Sequence, residues 1–313
     1  MRLIHIIVVI LTGFLFVGNI TACNKIDYEV SIIDDPGFTY SLFSSNIMPH
    51  QSAASYGNYC IFITNTRNSF YLYNLDTKKT LCELSLEPGS GNDFMGYELY
   101  HCNQATFGVD FYSLEDVFPL LYISQRAKGD KRCFVEVFRI QVEKKDEGED
   151  YSSMKASLIQ TIYMPIMTRD NSLGNVNCVI DQDTHQMYTY SRNNIKEDSN
   201  YGYCKISRFN IPDYNCSEIM LNDSDVKESY TLKEKALNMQ GGCIKNGILY
   251  IGQGYEGVGY IYLNAVNLEK KVLENRIDLL GNGIRWEPEG CFIYNGHVML
   301  SSPSSLWKFV LNN

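Results

Sequence analysis

Short apolar runs separated by turn residues dominate the chain after its first fifty positions. Runs such as Tyr59–Thr64 and Phe70–Leu75 are bounded by residues that favour turns, mainly Asn, Asp, Gly and Ser. Strands of this length at close spacing predict an all-β fold. The main exception is Asp225–Met239, which is rich in Lys, Glu, Leu and Ala and predicts a helix within a loop.

One unit of this pattern recurs along the chain. In Gln240–Tyr250 and in Glu289–Met299, a Gln or Glu precedes Gly, apolar residues, Asn-Gly and further apolar residues. This order indicates a strand, a tight turn and a second strand. Similar units start near Gln51, Gln104 and Asn177, so the starts are 53, 73, 63 and 49 residues apart. Such spacings are typical of four-stranded propeller blades with loop insertions.

The five starts predict a single β-propeller of five blades over residues 31–313. Six blades are the alternative if one of the long intervals contains another unit. The charged insertion Glu143–Asp150 explains the longest interval as a solvated loop. The chain after Glu289 is too short for a complete blade, and the segment Tyr28–Phe43 is expected to close the ring as its missing strand.

The first residues predict an export signal rather than part of the fold, and the alternative is an uncleaved membrane anchor. Arg2 precedes an apolar run from Leu3 to Val17, and small and polar residues follow. Ile20–Cys23 resembles the lipobox of bacterial lipoproteins, in which the Cys is acylated, for instance with palmitate. This resemblance implies a signal peptide at 1–22 and a lipid-anchored tether at 23–30. It also implies an outer-membrane protein of the cell envelope, facing the periplasm or the cell surface, whose partner is the membrane itself.

Composition narrows the possible partners. Lys and Arg number 27 and Asp and Glu 36, which gives a formal net charge of −9. Nucleic acid selects basic surfaces, so it is not an expected partner. Besides Cys23 the chain has nine cysteines, most of them in apolar runs where they act as small hydrophobic residues. Cys204 and Cys216 lie on neighbouring predicted strands, but the sequence alone cannot pair them.

The chain resembles secreted β-propeller lipoproteins of the NHL-like and glutaminyl-cyclase-like kind. The likeness is carried by the Gln-Gly start at Gln240, by Glu287-Pro288-Glu289-Gly290, by the segment 101–108 and by Phe118–Ser124. It implies the propeller fold. Propellers of this kind include enzymes and binding modules, so the resemblance does not decide between these activities.

Polar residues at the unit starts are the candidate functional residues. Inner strands of a propeller surround its channel, so side chains at their first positions converge at one mouth. The predicted ligand-binding residues are Gln51, His101, Asn103, Gln240, Glu287 and Glu289. Two nearby carboxylates favour a cation, or a cationic or hydroxyl-rich ligand. The competing interpretation is that these side chains only cap blade turns.

Two classes of function remain after these observations. The first is a non-catalytic module that binds a glycan, a peptide or an envelope protein; abundant Tyr suits such contacts. The second is a metal-assisted hydrolase, lyase or cyclase that acts at the channel mouth. No nucleophile–base pair is readable, which favours binding over catalysis. Calcium is a possible ion, and Asp181–Thr184 either offers it oxygen ligands or forms an Asx turn.

Overall fold

The computed structural model describes residues 38–45, 47–64, 69–85, 102–125, 133–165, 176–192, 199, 201–235, 238–255 and 257–311. The predicted signal peptide, Cys23 and the predicted tether lie outside these residues, as does His101. Within the described ranges, no helix has the length and apolar character needed to cross a membrane.

Strands account for almost all regular structure in the described residues. They are β1 (Phe38–Ser44), β2 (Ser52–Tyr56), β3 (Tyr59–Thr64), β4 (Ser69–Asn74), β5 (Lys79–Ser85), β6 (Gln104–Phe107), β7 (Leu121–Gln125), β8 (Phe134–Lys144), β9 (Tyr151–Tyr163), β10 (Asn177–Asp181), β11 (Gln186–Arg192), β12 (Tyr203–Asn210), β13 (Glu218–Met220), β14 (Glu228–Lys235), β15 (Met239–Lys245), β16 (Ile248–Gly254), β17 (Ile261–Asn267), β18 (Val272–Asp278), β19 (Gly290–Tyr294), β20 (His297–Ser302) and β21 (Ser305–Leu311). Asp223–Asp225 forms one 3-10 turn.

These strands form five sheets, each of which is one propeller blade. Blade 1 is β2–β5, blade 2 is β6–β9 with β13 added, and blade 3 is β10, β11, β12 and β14. Blade 4 is β15–β18, and blade 5 is β19–β21 with β1. The inner strands β2, β6, β10, β15 and β19 contact one another in this order around a ring. The prediction of an all-β, five-bladed propeller is confirmed, and each predicted start lies at or beside the start of an inner strand.

The N-terminal strand closes the ring, as the sequence predicted. Antiparallel pairing joins β1 to β21, with Tyr40 opposite Phe309. The Tyr40 ring stacks on the Phe309 ring with centroids 5.4 Å apart, and its hydroxyl donates to the carbonyl of Asn282 at 2.6 Å. The outer edge of β21 is therefore covered, which removes an unpaired edge from the fifth blade. The part of the predicted segment before Phe38 lies outside the described residues.

The predicted helix at Asp225–Met239 is wrong, because its central part is the outermost strand of blade 3. Tyr230 and Leu232 point to one face of β14 and pack in the core between blades 3 and 4. The Lys and Glu residues of β14 lie on the exposed face or near its end. An outer strand keeps one face in solvent, so it uses charged residues that also occur in helices.

The charged insertion lengthens one hairpin of blade 2. Strands β8 and β9 continue on both sides of a turn over residues 145–150. Asp150 then contacts blade 1, since it accepts hydrogen bonds from the Tyr59 hydroxyl at 3.0 Å and from Nδ2 of Asn74 at 2.7 Å. The longest interval, between the starts at Gln104 and Asn177, thus contains an extended hairpin and not a hidden blade.

The hydrophobic core is divided among the blade interfaces. Five clusters of buried apolar side chains occur in the described residues, and they fill the spaces between neighbouring blades. The hairpins that lead from inner strands use the predicted turns: Asn246 and Gly247 both have positive φ, as have Asn295 and Gly296. A two-residue turn of this kind matches the twist of its flanking strands.

Candidate functional site

Every blade starts its inner strand with a polar residue at the same end of the channel, here called the upper mouth. These residues are Gln51, Gln104, Asn177, Gln240 and Glu289. All except Gln51 are at most 6% exposed. Buried polar side chains require hydrogen-bond partners. The contacts of these residues therefore determine which groups the upper mouth can bind.

The segment Glu287-Pro288-Glu289 is placed by its contact with the neighbouring blade. Pro288 lies directly against Gly252 of β16, where any Cβ atom would come within 2.9 Å of the proline. The amide of Glu289 donates to the carbonyl of Glu287 at 3.1 Å before β19 begins. Side chains alternate in extended chain, so Glu287 and Glu289 point away from Pro288 and towards the mouth.

Two glutamine amides hold the two carboxyl groups. Nε2 of Gln51 donates to Oε2 of Glu289 at 2.6 Å, and Nε2 of Gln240 donates to Oε1 of Glu287. The two carboxyl groups are also hydrogen-bonded to each other. These four residues come from blades 1, 4 and 5, and they are called the upper-mouth cluster below. The repeat alignment placed all four of them at this mouth, and the structure brings them into direct contact.

Burial favours the protonated form in the carboxyl pair of the upper-mouth cluster. Burial, followed by the charge of Glu287, raises the pKa of Glu289 well above its usual range. Burial also raises the pKa of Glu287, although the Gln240 amide opposes this effect. A hydrogen bond between two carboxyl groups needs one proton, and like charges at this distance resist a second ionisation. Glu289, the more deeply buried of the two, therefore favours the protonated form more strongly than Glu287, which is only half-buried.

Several buried oxygen atoms near the inner-strand starts have no hydrogen-bond donor within the described part of the chain. They are Oε1 of Gln240, Oδ1 of Asn177 and Oδ1 of Asn103. A buried acceptor without a donor costs on the order of 1–3 kcal/mol. The upper mouth is thus rich in acceptors and suits a group that donates hydrogen bonds, such as an ammonium, a guanidinium, a sugar hydroxyl or a metal-bound water.

Asn103 does not join the upper-mouth cluster, and its neighbour Gln104 has the matching place in the repeat. Gln104 accepts from the amide of Gly242 at 2.6 Å and donates to its carbonyl at 2.8 Å. Blades 2 and 4 are not neighbours in the ring, so this side chain reaches across the channel. The repeat alignment contained the signal, since Gln104 itself is the residue that aligns with Gln51 and Gln240.

A second buried polar group in blade 2 was not identified from the sequence. Nε2 of Gln125 donates to Oε2 of Glu136 at 2.7 Å, and the Cys102 thiol donates to Oε1 of Gln125 at 3.7 Å. The other oxygen of Glu136 has no donor in the described residues. Burial raises the pKa of Glu136 to about 7. Its position in the middle of an apolar-rich strand gave no signal of these contacts.

Asp181, from the predicted calcium segment, and the buried His50 both use their side chains in contacts within the chain. Asp181 accepts from the amide of Asp183 and from the hydroxyl of Thr184, at 3.1 and 2.6 Å, which is the Asx-turn alternative. His50 contacts the Met48 carbonyl and the Ser301 hydroxyl through its two ring nitrogens. Across the described ranges, no three His, Cys, Asp or Glu side chains form a group able to hold a metal ion.

Comparisons with known proteins find distant similarity among solved structures. No family model matches the sequence, and a search of curated proteins finds no match. Among solved structures, the Myxococcus xanthus glutaminyl cyclase is 11% identical with a TM-score of 0.46, over 87% of this chain and 94% of that chain. A Bacteroides thetaiotaomicron protein of unknown function is 10% identical with a TM-score of 0.42, over 88% and 76%. A luciferin-regenerating enzyme is 10% identical with a TM-score of 0.36, over 86% and 77%. The assignment of the β-propeller fold rests on this chain's own five sheets.

Proposed function

We propose that this protein is an envelope-anchored binding module, which uses the upper mouth of its propeller to bind a glycan, a peptide or a partner protein. The observation that carries the proposal is the carboxyl pair Glu287 and Glu289, held by amides from two other blades. A rigid ring fixes these groups before a ligand arrives, which lowers the entropy cost of binding.

Charge and hydrogen bonding define the part of the ligand that enters the mouth. Glu287 is the more accessible carboxyl of the pair, while Oε1 of Gln240 lacks a donor in the described residues. A positively charged or hydroxyl-rich group supplies the missing donors and offsets the charge. The proposed ligands are therefore a basic peptide or protein segment, an amino sugar or a neutral glycan, and not an anionic polymer.

Catalysis at the same mouth is the alternative raised by the sequence. A carboxyl pair with raised pKa values is found in many active sites. In the described residues, however, no third His, Cys, Asp or Glu accompanies the pair to hold a metal ion. Binding is the function that the observed contacts support best, and calcium or zinc belongs in the ligand panel as an outcome of the test.

Thermal shift measurements test the proposal. The panel consists of lysine and arginine oligopeptides, polyamines, chitosan and neutral oligosaccharides, calcium and zinc. A ligand that binds only the folded state raises the melting temperature in a concentration-dependent way. Glu287→Gln is expected to abolish the shift, because it removes the accessible charge at nearly constant size.

The matched control is Glu269→Gln, which makes the same charge change at an exposed position in the turn between β17 and β18. This turn lies at the opposite end of the blade from the mouth. A shift lost in Glu287→Gln and kept in Glu269→Gln supports the site. Equal shifts in both variants contradict it, and turnover of a panel compound would establish the enzymatic alternative.

Anchoring through Cys23 is a separate part of the proposal. It is supported by the lipobox-like segment Ile20–Cys23 after an apolar run. Replacing Cys23 by Ala is expected to move the protein out of the membrane fraction or to leave it unprocessed. Unchanged fractionation together with unchanged mass would contradict the lipid anchor without affecting the proposed binding site.

A further inference from the structure

Two cysteines face each other between blades 4 and 5. Cys243 lies on β15 and Cys291 on β19, and their Sγ atoms are 3.0 Å apart. Both side chains are buried, with exposed fractions of 7% and 1%. They belong to the apolar cluster that joins the two blades, next to Tyr250 and Leu300.

The repeat itself brings these cysteines together. Gln240 aligns with Glu289, so Cys243 is the third residue after its unit start and Cys291 the second. Side chains alternate between the faces of a strand, and this offset of one position turns the two cysteines towards each other. The inner strands also approach closely, since a Cβ atom on Gly241 would lie 2.7 Å from Cα of Gly290.

We propose that Cys243 and Cys291 form a disulfide bond that joins blade 4 covalently to blade 5. In this reaction a low-molecular-weight disulfide, or a disulfide oxidoreductase, accepts the two electrons. The two thiols and the oxidant disulfide give one protein disulfide and two free thiols, so atoms and electrons balance. Disulfide bonds have S–S distances of 2.03–2.05 Å, so the two sulfur atoms need to approach by only about 1 Å.

The surroundings of the pair determine when the bond forms. Both cysteines line a cavity of about 70 Å³ at the lower mouth, where the inner strands end. This volume accommodates a few water molecules. Burial raises the pKa of the Cys243 thiol well above its ordinary value, so reactive thiolate is scarce once the blades have packed. The bond is therefore expected to form during folding and to resist reduction afterwards.

The pair suggested by sequence spacing does not share this geometry. Cys204 is buried in blade 3, whereas Cys216 is exposed and lies 3.9 Å from Nε2 of Gln160 in blade 2. Cys216 provides a useful control, because its exposed thiol can react with reagents that do not reach the buried pair.

Peptide mapping tests the proposal directly. The protein is refolded with oxidised and reduced glutathione, its free thiols are alkylated, and it is digested with trypsin without reduction. Cleavage after Lys and Arg releases residues 236–245 and 286–308, each with a single cysteine. We expect these two peptides to appear as one linked mass that separates on reduction. Recovery of both peptides in the alkylated form would overturn the proposal.

Variants supply a second readout that does not depend on digestion. In a Cys216→Ser background, the oxidised protein is expected to melt about 5 to 10 °C above the reduced protein, since the bond closes a long loop between blades. Cys243→Ala and Cys291→Ala should each abolish this redox-dependent difference, while Cys178→Ala, another buried cysteine, should keep it. A difference that survives in the Cys291→Ala variant would contradict the assignment.

Discussion

Gln51 and Glu289 lie in different blades, yet Nε2 of Gln51 donates a hydrogen bond to Oε2 of Glu289 at 2.6 Å. The contact joins the first inner strand of the ring to the start of the last one. It is made to a buried carboxyl group whose pKa is raised, which favours a neutral hydrogen bond over one to a charged carboxylate. This distinction determines how substitutions at the mouth should behave.

Glu289→Gln is expected to change stability little at neutral pH, because a neutral amide replaces a neutral carboxyl and can keep both hydrogen bonds. The pKa of Glu289 is raised, so the folded protein loses stability as the pH rises through that pKa, and the variant does not. Urea unfolding at several pH values above 6 checks this. A variant that loses stability at neutral pH and gains nothing in alkali would show that Glu289 is ionised in the folded state.

Glu136→Gln is expected to stabilise the protein in mild alkali. Burial raises the pKa of Glu136 from 4.5 to about 7, so the folded protein retains a proton that the unfolded chain has lost. Wild-type stability consequently falls as pH rises through this range, by about 3 kcal/mol in total. The advantage of the variant should be absent at pH 5 and present at pH 8 in urea unfolding, with the exposed Glu269→Gln as control. An equal difference at both pH values contradicts this pKa.

His50 is expected to weaken the fold in acid. Burial lowers its pKa from 6.5 to about 4, so between these values the unfolded chain binds a proton that the folded protein does not. Stability is therefore lost as the pH falls from about 6.5 to 4, by about 3 kcal/mol. His50→Gln should be less stable at pH 7, because it loses the packing of the His50 ring on Phe62, whose ring centroids are 4.5 Å apart. Its free energy of unfolding should, however, fall less between pH 6.5 and pH 4 than that of the wild type. His185→Asn, at an exposed position, is the control and should lose as much stability in acid as the wild type.

Tyr40→Ala tests closure of the ring. The variant loses the stacking on Phe309 and the hydrogen bond to the Asn282 carbonyl, and a large buried aromatic residue replaced by Ala costs about 3 to 5 kcal/mol. Chemical unfolding should show this loss, and Tyr112→Ala, at a largely exposed position, should show much less. Equal stability of the two variants would mean that β1 contributes little to the closed ring.

The repeating features of this fold could be predicted from the sequence because they are local. Asn246-Gly247 and Asn295-Gly296 specify tight turns by their own backbone preferences, and the units before them give the start of each inner strand. The role of Tyr28–Phe43 in closing the ring could be predicted from the number of residues in the last unit, since too few remain after Glu289 for a fourth strand. The lipid anchor at Cys23 stays a prediction, because it lies outside the described residues.

The features that the sequence did not reveal depend on neighbours in other blades. Glu228–Lys235 has a composition typical of helices, and only its pairing with β12 makes it a strand. Gln104 reaches Gly242 across the channel, and no spacing along the chain encodes that distance. Glu136 has an unusual pKa because of its burial, which a single polar letter in an apolar run does not disclose.

Closure by β1 also sets an order of events during folding. Phe38 pairs with Leu311, so of all the described strands the first to leave the ribosome is paired with the last. Contacts between residues so far apart in the chain form slowly, because the intervening loop must be ordered first. Until β21 has been synthesised, β1 lacks the strand with which it pairs, and the ring remains open with unpaired strand edges. A chain interrupted before β21 therefore cannot complete the ring, however well its first four blades have folded.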